Sequence, residues 1–358
     1  MKNDKRILFT GGGTAGHVIV NLALIPVYQQ AGWEIDYIGS YEGIERDLIE
    51  PLGGVTYHPI STGKLRRYMS IENFKDPFKV LKGTMQAYRI IGNRKPSVIF
   101  SKGGFVSVPV VIAAKLRGVP AVIHESDYTP GLANKLSIPF AKKVLATFEE
   151  TLEFLPEQKR EYVGAVIREE LFTGERDKGL KFTGLKGEKP VLLIMGGSGG
   201  SEMINEAVRT NIQKLLQQFE IIHICGQGKV DTSLNSLGYA QFEYVHGELK
   251  DIFAATDFVL SRAGSNAIFE FLALRIPMLL VPLSLEASRG DQIVNARSFK
   301  EKGFARVLQE AEVTADKLTE ELLQLVKTAP VIQDKMKQFE PGATRERVIE
   351  IIKEVEKK

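Results

Sequence analysis

The 358 residues include one cysteine, Cys225, so no internal disulfide can form and the usage fits a reducing compartment. It closes the apolar run IIHIC, which reads as a buried, inert thiol rather than a nucleophile. Charge of one sign is also scarce: 47 Lys/Arg oppose 44 Asp/Glu, a net of +3. No global polyanion signature exists, nucleic acid is not an expected partner, and any basic surface must be local. Long apolar runs are missing, since 104–114 and 276–283 are too short for a bilayer and are broken by Pro or Gly. The start MKNDKRILFTGG runs from charge straight into a strand, without the apolar core or cleavage site of a signal peptide. There is no low-complexity tract, no D-x-D triplet to hold a divalent cation on a diphosphate, and no His/Cys cluster. Neither a metal nor another cofactor is expected, and the chain reads as cytoplasmic and globular.

What is present is alternation. Strand-like runs at 6–10, 34–39, 98–102, 121–125 and 143–147 are separated by amphipathic segments such as 19–31 and 107–117. A second series follows at 191–195, 221–225, 242–246, 258–262 and 277–282. Such alternation predicts an α/β protein with two Rossmann-like parallel-sheet domains, and Val/Ile/Leu-rich strands fit sheets covered on both faces. The polar stretch 165–189 reads as the junction. The expected domains are 1–163 and 164–340, with the charged amphipathic helix 341–358 returning to the first.

Each series opens on a glycine loop. Residues 7–17, ILFTGGGTAGH, satisfy G-x-G-x-x-G after a strand, and Asp36 lies where a dinucleotide site has its acidic residue. That keeps a dinucleotide-dependent oxidoreductase open. Against it, His17 directly follows the last glycine, and Asp36 sits inside an apolar strand pattern. The second loop, GGSGGS at 196–201, offers backbone and hydroxyl donors to a phosphate, or is simply a tight turn. In SRAGSNAIFE (261–270), Gly264, Ser265 and Asn266 cap a helix that carries Glu270 one turn deeper. That spacing suits a diphosphate at the helix start with a carboxylate on ribose hydroxyls. In VPLSLEASRGDQIVNARSF, the amides of Gln292 and Asn295 could bond sugar hydroxyls, or merely open a polar helix.

Together GGGTAGHV, SKGGFVSVP, HESDYTPGLANK, VGAVIREEL, GGSGGS, SRAGSNAIFE and SRGDQIVNA occur in the order and spacing of one family. Over essentially its whole length the chain resembles the MurG family, the UDP-N-acetylglucosamine transferases of peptidoglycan synthesis. The resemblance implies a GT-B fold, two Rossmann-like domains facing a central cleft. It implies inverting transfer of GlcNAc from UDP-GlcNAc to the MurNAc 4-hydroxyl of lipid I, giving lipid II. By motif position, Ser198 and Arg168 would serve the diphosphate, Leu249 the uracil, Glu270 the ribose and Gln292 the GlcNAc. Thr14, Ala15 and Gly16 would face donor and acceptor from the first domain. Two departures are local: Ser201 stands where the family often has alanine, and Asp127 where some members carry an Asn that helps bind donor or acceptor.

Inversion asks for a base on the acceptor hydroxyl while UDP leaves from the opposite face. His17 is the natural candidate, the rival role being acceptor or phosphate binding. His124 and Glu125 could orient the acceptor or substitute as base; His58, His223 and His246 read as structural. Residues 64–95 hold nine Lys/Arg interleaved with Tyr68, Met69, Ile71, Phe74, Phe78, Tyr88 and Ile90. That suits an anionic cytoplasmic membrane surface, or is an amphipathic helix with a solvated basic face. The resemblance favours a peripheral membrane enzyme whose partners are UDP-GlcNAc, undecaprenyl-linked lipid I and other cell-wall synthesis proteins. A non-catalytic nucleotide-sugar-binding relative is a further alternative.

Overall fold

Alternation of side chains along β1 (Arg6–Thr10) sends Ile7 and Phe9 to one apolar layer and Leu8 to the other, which is why the run is apolar throughout. The protein is seen here as a computed structural model that describes residues 5–63, 71–197, 199–245, 247–286, 288–339 and 344–356. Ser198, His246, residues 64–70 and the side chains of 71–75, including Ile71 and Phe74, lie outside the described residues, as do 341–343 and 357–358.

The chain divides into two compact units, Met1–Val166 with Gly342–Lys358, and Ile167–Pro341. In chain order the first unit holds β1, α1 (Gly16–Gln30), β2 (Glu34–Ser40), α2 (Ile44–Ile49), β3 (Val55–Ile60) and α3 (Ile71–Arg94). It continues with β4 (Val98–Ser101), α4 (Ser107–Arg117), β5 (Ala121–Glu125), α5 (Leu132–Ser137), β6 (Lys143–Ala146) and β7 (Arg160–Tyr162). All seven strands are parallel, in the order β3-β2-β1-β4-β5-β6-β7. The order reverses at β1 and β4, the place where a doubly wound sheet opens for a ligand.

The second unit holds α6 (Arg176–Thr183), β8 (Val191–Met195), α7 (Glu202–Thr210), α8 (Ile212–Leu215), β9 (Glu220–Ile224), β10 (Tyr239–Phe242) and α9 (Leu249–Ala255). After these come β11 (Phe258–Ser261), α10 (Ser265–Ala273), β12 (Met278–Leu280), α11 (Asp291–Glu301), β13 (Ala305–Val307) and α12 (Ala315–Met336). Its six-stranded parallel sheet runs β10-β9-β8-β11-β12-β13. The last helix, α13 (Thr344–Val355), puts Val348, Ile351 and Ile352 into the same apolar layer as Ile7, Phe9 and Leu24 of the first unit.

Both sheets agree with the alternation except at their edges. Strands β3, β7 and β13 carry no apolar run, and the strand expected at 242–246 lies instead at Tyr239–Phe242, paired with Ile221–Ile224. Every one of these is an edge strand, half exposed and therefore free to be polar, which erases the periodic signal. Tyr239 is buried with its hydroxyl 2.8 Å from His223 Nδ1, whereas Glu243 and Tyr244 are exposed; that choice sets the register.

Candidate functional sites in the two units

In the first unit the β1–α1 loop is held tightly. Gly11 has φ 156° and its Cβ position is taken by His17 O; Gly104, φ 82°, backs directly onto Gly12 O. Only glycine allows the two loops this approach. Tyr37 donates its hydroxyl to Gly11 O (2.7 Å), and the Asn21 amide reaches Thr10 O (3.2 Å) and the Tyr37 oxygen (3.1 Å). Glu45, fully buried, accepts from Gly13 N and Ser40 N, both at 3.0 Å, and from the Ser40 hydroxyl. Burial opposes its charge, but the donors from Ser40 and Gly13 outweigh burial and hold the carboxyl below its ordinary value.

Thr14 is exposed, Ala15 is the N-cap and Gly16 the first residue of α1, which puts His17 in the first helical turn. Its Nδ1 lies 3.0 Å from Gly12 O and 3.1 Å from Thr14 Oγ1. A carbonyl can only accept, so Nδ1 carries the proton and the neutral ring presents Nε2 as its lone pair. Burial, with Lys102 next, pushes the His17 pKa down despite Asp127, Gly12 O and Glu45. The positive end of α1 acts in the same direction. His17 is thus a neutral acceptor near pH 7.

At the end of β5 the structure corrects two expectations. His124 is fully buried, stacked on Phe100 with Nε2 3.2 Å from Thr147 Oγ1, and burial then Lys102 drive its pKa well down. Glu125, also buried, accepts from Asp127 N (2.9 Å), Gly131 N (2.9 Å) and the Asn134 amide (2.8 Å). Glu125 therefore braces the 127–131 loop, His124 packs into the interior against Phe100, and neither forms the acceptor surface. Asp127, half buried, is what that loop presents. Burial and Asp127 raise the Glu125 pKa to about 7, against the pull of Asn134, Asp127 N and Lys102.

Asp36 is settled plainly. It is fully buried in mid-strand, ion-paired to Arg94 Nε (2.8 Å) and hydrogen-bonded to His58 Nε2 (2.7 Å), with Arg6 Nε at 3.5 Å. Its oxygens are filled by the protein, so it cannot serve the ribose of a dinucleotide.

In the second unit, the loop after β8 ends at Ser201, the N-cap of α7, whose hydroxyl accepts from Ile204 N and from Arg262 (2.8 Å). Arg262, inside the SRAGSNAIFE motif but given no role by it, is a buried cation that also bonds Val281 O (3.1 Å) and Glu310 (2.6 Å), tying three loops together. The cap of α10 is Gly264 in extended conformation, not Ser265, which is the buried first helical residue; Asn266 follows, half buried. The first N–H groups of α10 have no carbonyl partner within the helix, an arrangement that in general favours an anion. Glu270, buried one turn deeper, forms a two-point ion pair with Arg168, at 2.9 and 3.2 Å. Burial raises its pKa in spite of that cation. The sequence assigned these two residues to ribose and diphosphate separately; the fold joins them.

The Gln292 carbonyl accepts from Ala263 N (3.3 Å) and Leu283 N (3.1 Å), which leaves its NH₂ as the group a sugar could use. Asn295 is fully buried and donates to Ala263 O (3.2 Å), so it holds the loop from beneath instead of facing a ligand. Leu249 opens α9 and is half buried. Among the described residues, no group of three or more His, Cys, Asp or Glu is placed to hold a metal ion.

Comparison with known proteins gives two family matches, the second of which runs on into the helix that returns to the first unit. Residues 7–146 match the glycosyltransferase family 28 N-terminal domain, and 191–355 match the glycosyltransferase family 28 C-terminal domain. A protein of Oceanobacillus iheyensis is 74% identical over 100% of both chains. It bears the name UDP-N-acetylglucosamine–N-acetylmuramyl-(pentapeptide) pyrophosphoryl-undecaprenol N-acetylglucosamine transferase. A protein of Geobacillus thermodenitrificans with the same name is 61% identical over 88% of each chain. The crystal structure of Acinetobacter baumannii MurG, 24% identical, superposes with a TM-score of 0.75 over 98% of this chain and 99% of that one, a likeness of fold.

Proposed function

The chain belongs to glycosyltransferase family 28, and on that premise we propose that it moves GlcNAc from UDP-GlcNAc to the MurNAc 4-hydroxyl of undecaprenyl-linked lipid I. The observation that carries this is the 74% identity, end to end, to a transferase of that name. The site geometry supplies the chemistry. His17 Nε2 takes the proton of the acceptor hydroxyl, whose oxygen attacks the anomeric carbon in line as the bond to UDP breaks. Configuration inverts, and the charge developing on UDP is met by the N–H groups at the start of α10 and by Arg168. Glu270, each of whose oxygens keeps a lone pair beyond its one bond to Arg168, receives the ribose hydroxyls, Gln292 the GlcNAc hydroxyls and Leu249 the uracil. Thr14, Ala15, Gly16 and Asp127 line the acceptor side.

Lipid I lies in a membrane, and among the described residues no helix is long and apolar enough to cross one. Phe78, Leu81, Met85 and Tyr88 are all exposed along α3 at helical spacing, flanked by exposed Lys79, Lys82 and Arg89. An apolar stripe with basic flanks supports attachment of this helix to an anionic bilayer surface.

The test is UDP release and β-linked product formation from purified protein, UDP-GlcNAc and a short-chain lipid I analogue. UDP-GlcNAc binding without transfer to any such acceptor refutes the catalytic reading in favour of a binding relative. Thermal protection by NAD(P) alone would restore the oxidoreductase.

A further inference from the structure

Lys102, the residue after β4, is 1% exposed and its Nζ has no hydrogen-bond partner among the described residues. A buried, unpartnered ammonium is costly, and burial brings its pKa down to about 8. A methionine of the same length would pack there without that cost. The stem of Lys102 is fixed, because its N–H bonds Thr10 O (2.9 Å) and a Cβ on Gly11 would meet its own Cβ at 3.2 Å. It therefore forms the floor beneath the loop that carries His17. Four titratable groups feel its charge: His17 from α1, His124 and Glu125 from β5, and Asp127 from the loop beyond. His17 faces, besides Lys102, the carboxylates of Asp127 and of Glu45 from α2, both of which favour the imidazolium.

We infer that Lys102 is a positioning residue for transfer: its ammonium adds to burial in favouring the neutral His17 that accepts the acceptor's proton, and it favours the ionised form of the Glu125 that braces the 127–131 loop. Without it, the two carboxylates would act on His17 against burial and the α1 dipole alone. Glu125, whose carboxylate needs both oxygens as acceptors for three donors, would lose the one cation that favours its charge. This rests on the transferase reading with His17 as base. Lys102 is walled off by the loop, so it acts through its neighbours and not on the substrate.

The experiment is a ring-proton NMR titration of His17 in the wild type, Lys102→Met and Lys102→Gln, the signal being assigned by its loss in His17→Gln. It is paired with kcat/KM as a function of pH. Both neutral variants should raise the His17 pKa by ~0.5–1 unit and move the acid limb by the same amount, with KM for UDP-GlcNAc unchanged. An unmoved His17 titration, or a rate loss equal at every pH, overturns the inference. Failure of both variants to fold also overturns it, by making Lys102 structural. A wild type that transfers nothing refutes the functional reading instead, while the NMR arm still decides whether Lys102 governs His17.

Discussion

Glu45→Gln isolates a carboxylate that no motif marks. In the structure its two oxygens accept from Gly13 N, Ser40 N and the Ser40 hydroxyl, and it is 1% exposed. Hydrogen bonds to a charged group are worth about 1.5–3 kcal/mol each, but Gly13 is exposed and its N–H can turn to water. An amide can satisfy donors on one oxygen only and aims its NH₂ at the other donor. The net loss should be about 3 kcal/mol, or roughly 6–12 °C in Tm for a domain of this size. The sign with pH follows from a folded pKa held below the ordinary 4.5. The contribution is complete above that value and is lost as pH falls through the folded pKa, so the two melting curves should converge in acid. Differential scanning calorimetry from pH 3 to 8 checks this. Because Gly13 anchors the loop before His17, kcat should also fall while KM for UDP-GlcNAc holds. A Tm change under about 1 °C at pH 7, or a difference that persists undiminished at pH 3, refutes the reasoning.

His17→Ala should lower kcat by about 10²–10⁴ with donor binding by calorimetry unchanged; near-normal turnover removes it as base. Glu270→Gln removes the carboxylate from Arg168, which is itself partly exposed, so the stability cost should be only about 1–3 kcal/mol by urea denaturation. The same variant should raise KM for UDP-GlcNAc about tenfold or more, and an unchanged KM would detach Glu270 from the ribose. Leu81→Glu on the exposed face of α3 should weaken sedimentation with anionic vesicles while leaving kcat on a short-chain soluble acceptor intact.

Much of the frame was legible because its signal is local. Central strands such as Ile7–Phe9 and Leu192–Ile194 are covered on both faces, so burial itself writes a continuous apolar run into the chain. The edge strands Val55–Ile60, Arg160–Tyr162 and Ala305–Val307 have no such requirement and were missed for that reason. Glycine loops announced both sites, since a backbone that must pass against another backbone admits no Cβ, as Gly11 and Gly104 show.

Side-chain assignments fared unevenly where pairing is non-local. Asp36 had the spacing of a ribose ligand, yet Arg94, 58 residues on, claims its oxygens. His124 and Glu125 stood at a strand end, yet both are buried, His124 against Phe100 and Thr147 and Glu125 under the loop it braces. Asn295 was turned inward by one helical face in the same way.

The sequence by itself determined the α/β class, the two series of parallel strands, the glycine turns and the family, all properties of neighbours along the chain. Only the tertiary structure decided that Glu270 closes on Arg168, that Glu45 holds the first loop, and that Lys102 lies buried, its Nζ without a hydrogen-bond partner among the described residues, against the loop that leads to His17. Those contacts join residues tens to a hundred positions apart, and their energies depend on burial and distance, which no local pattern encodes.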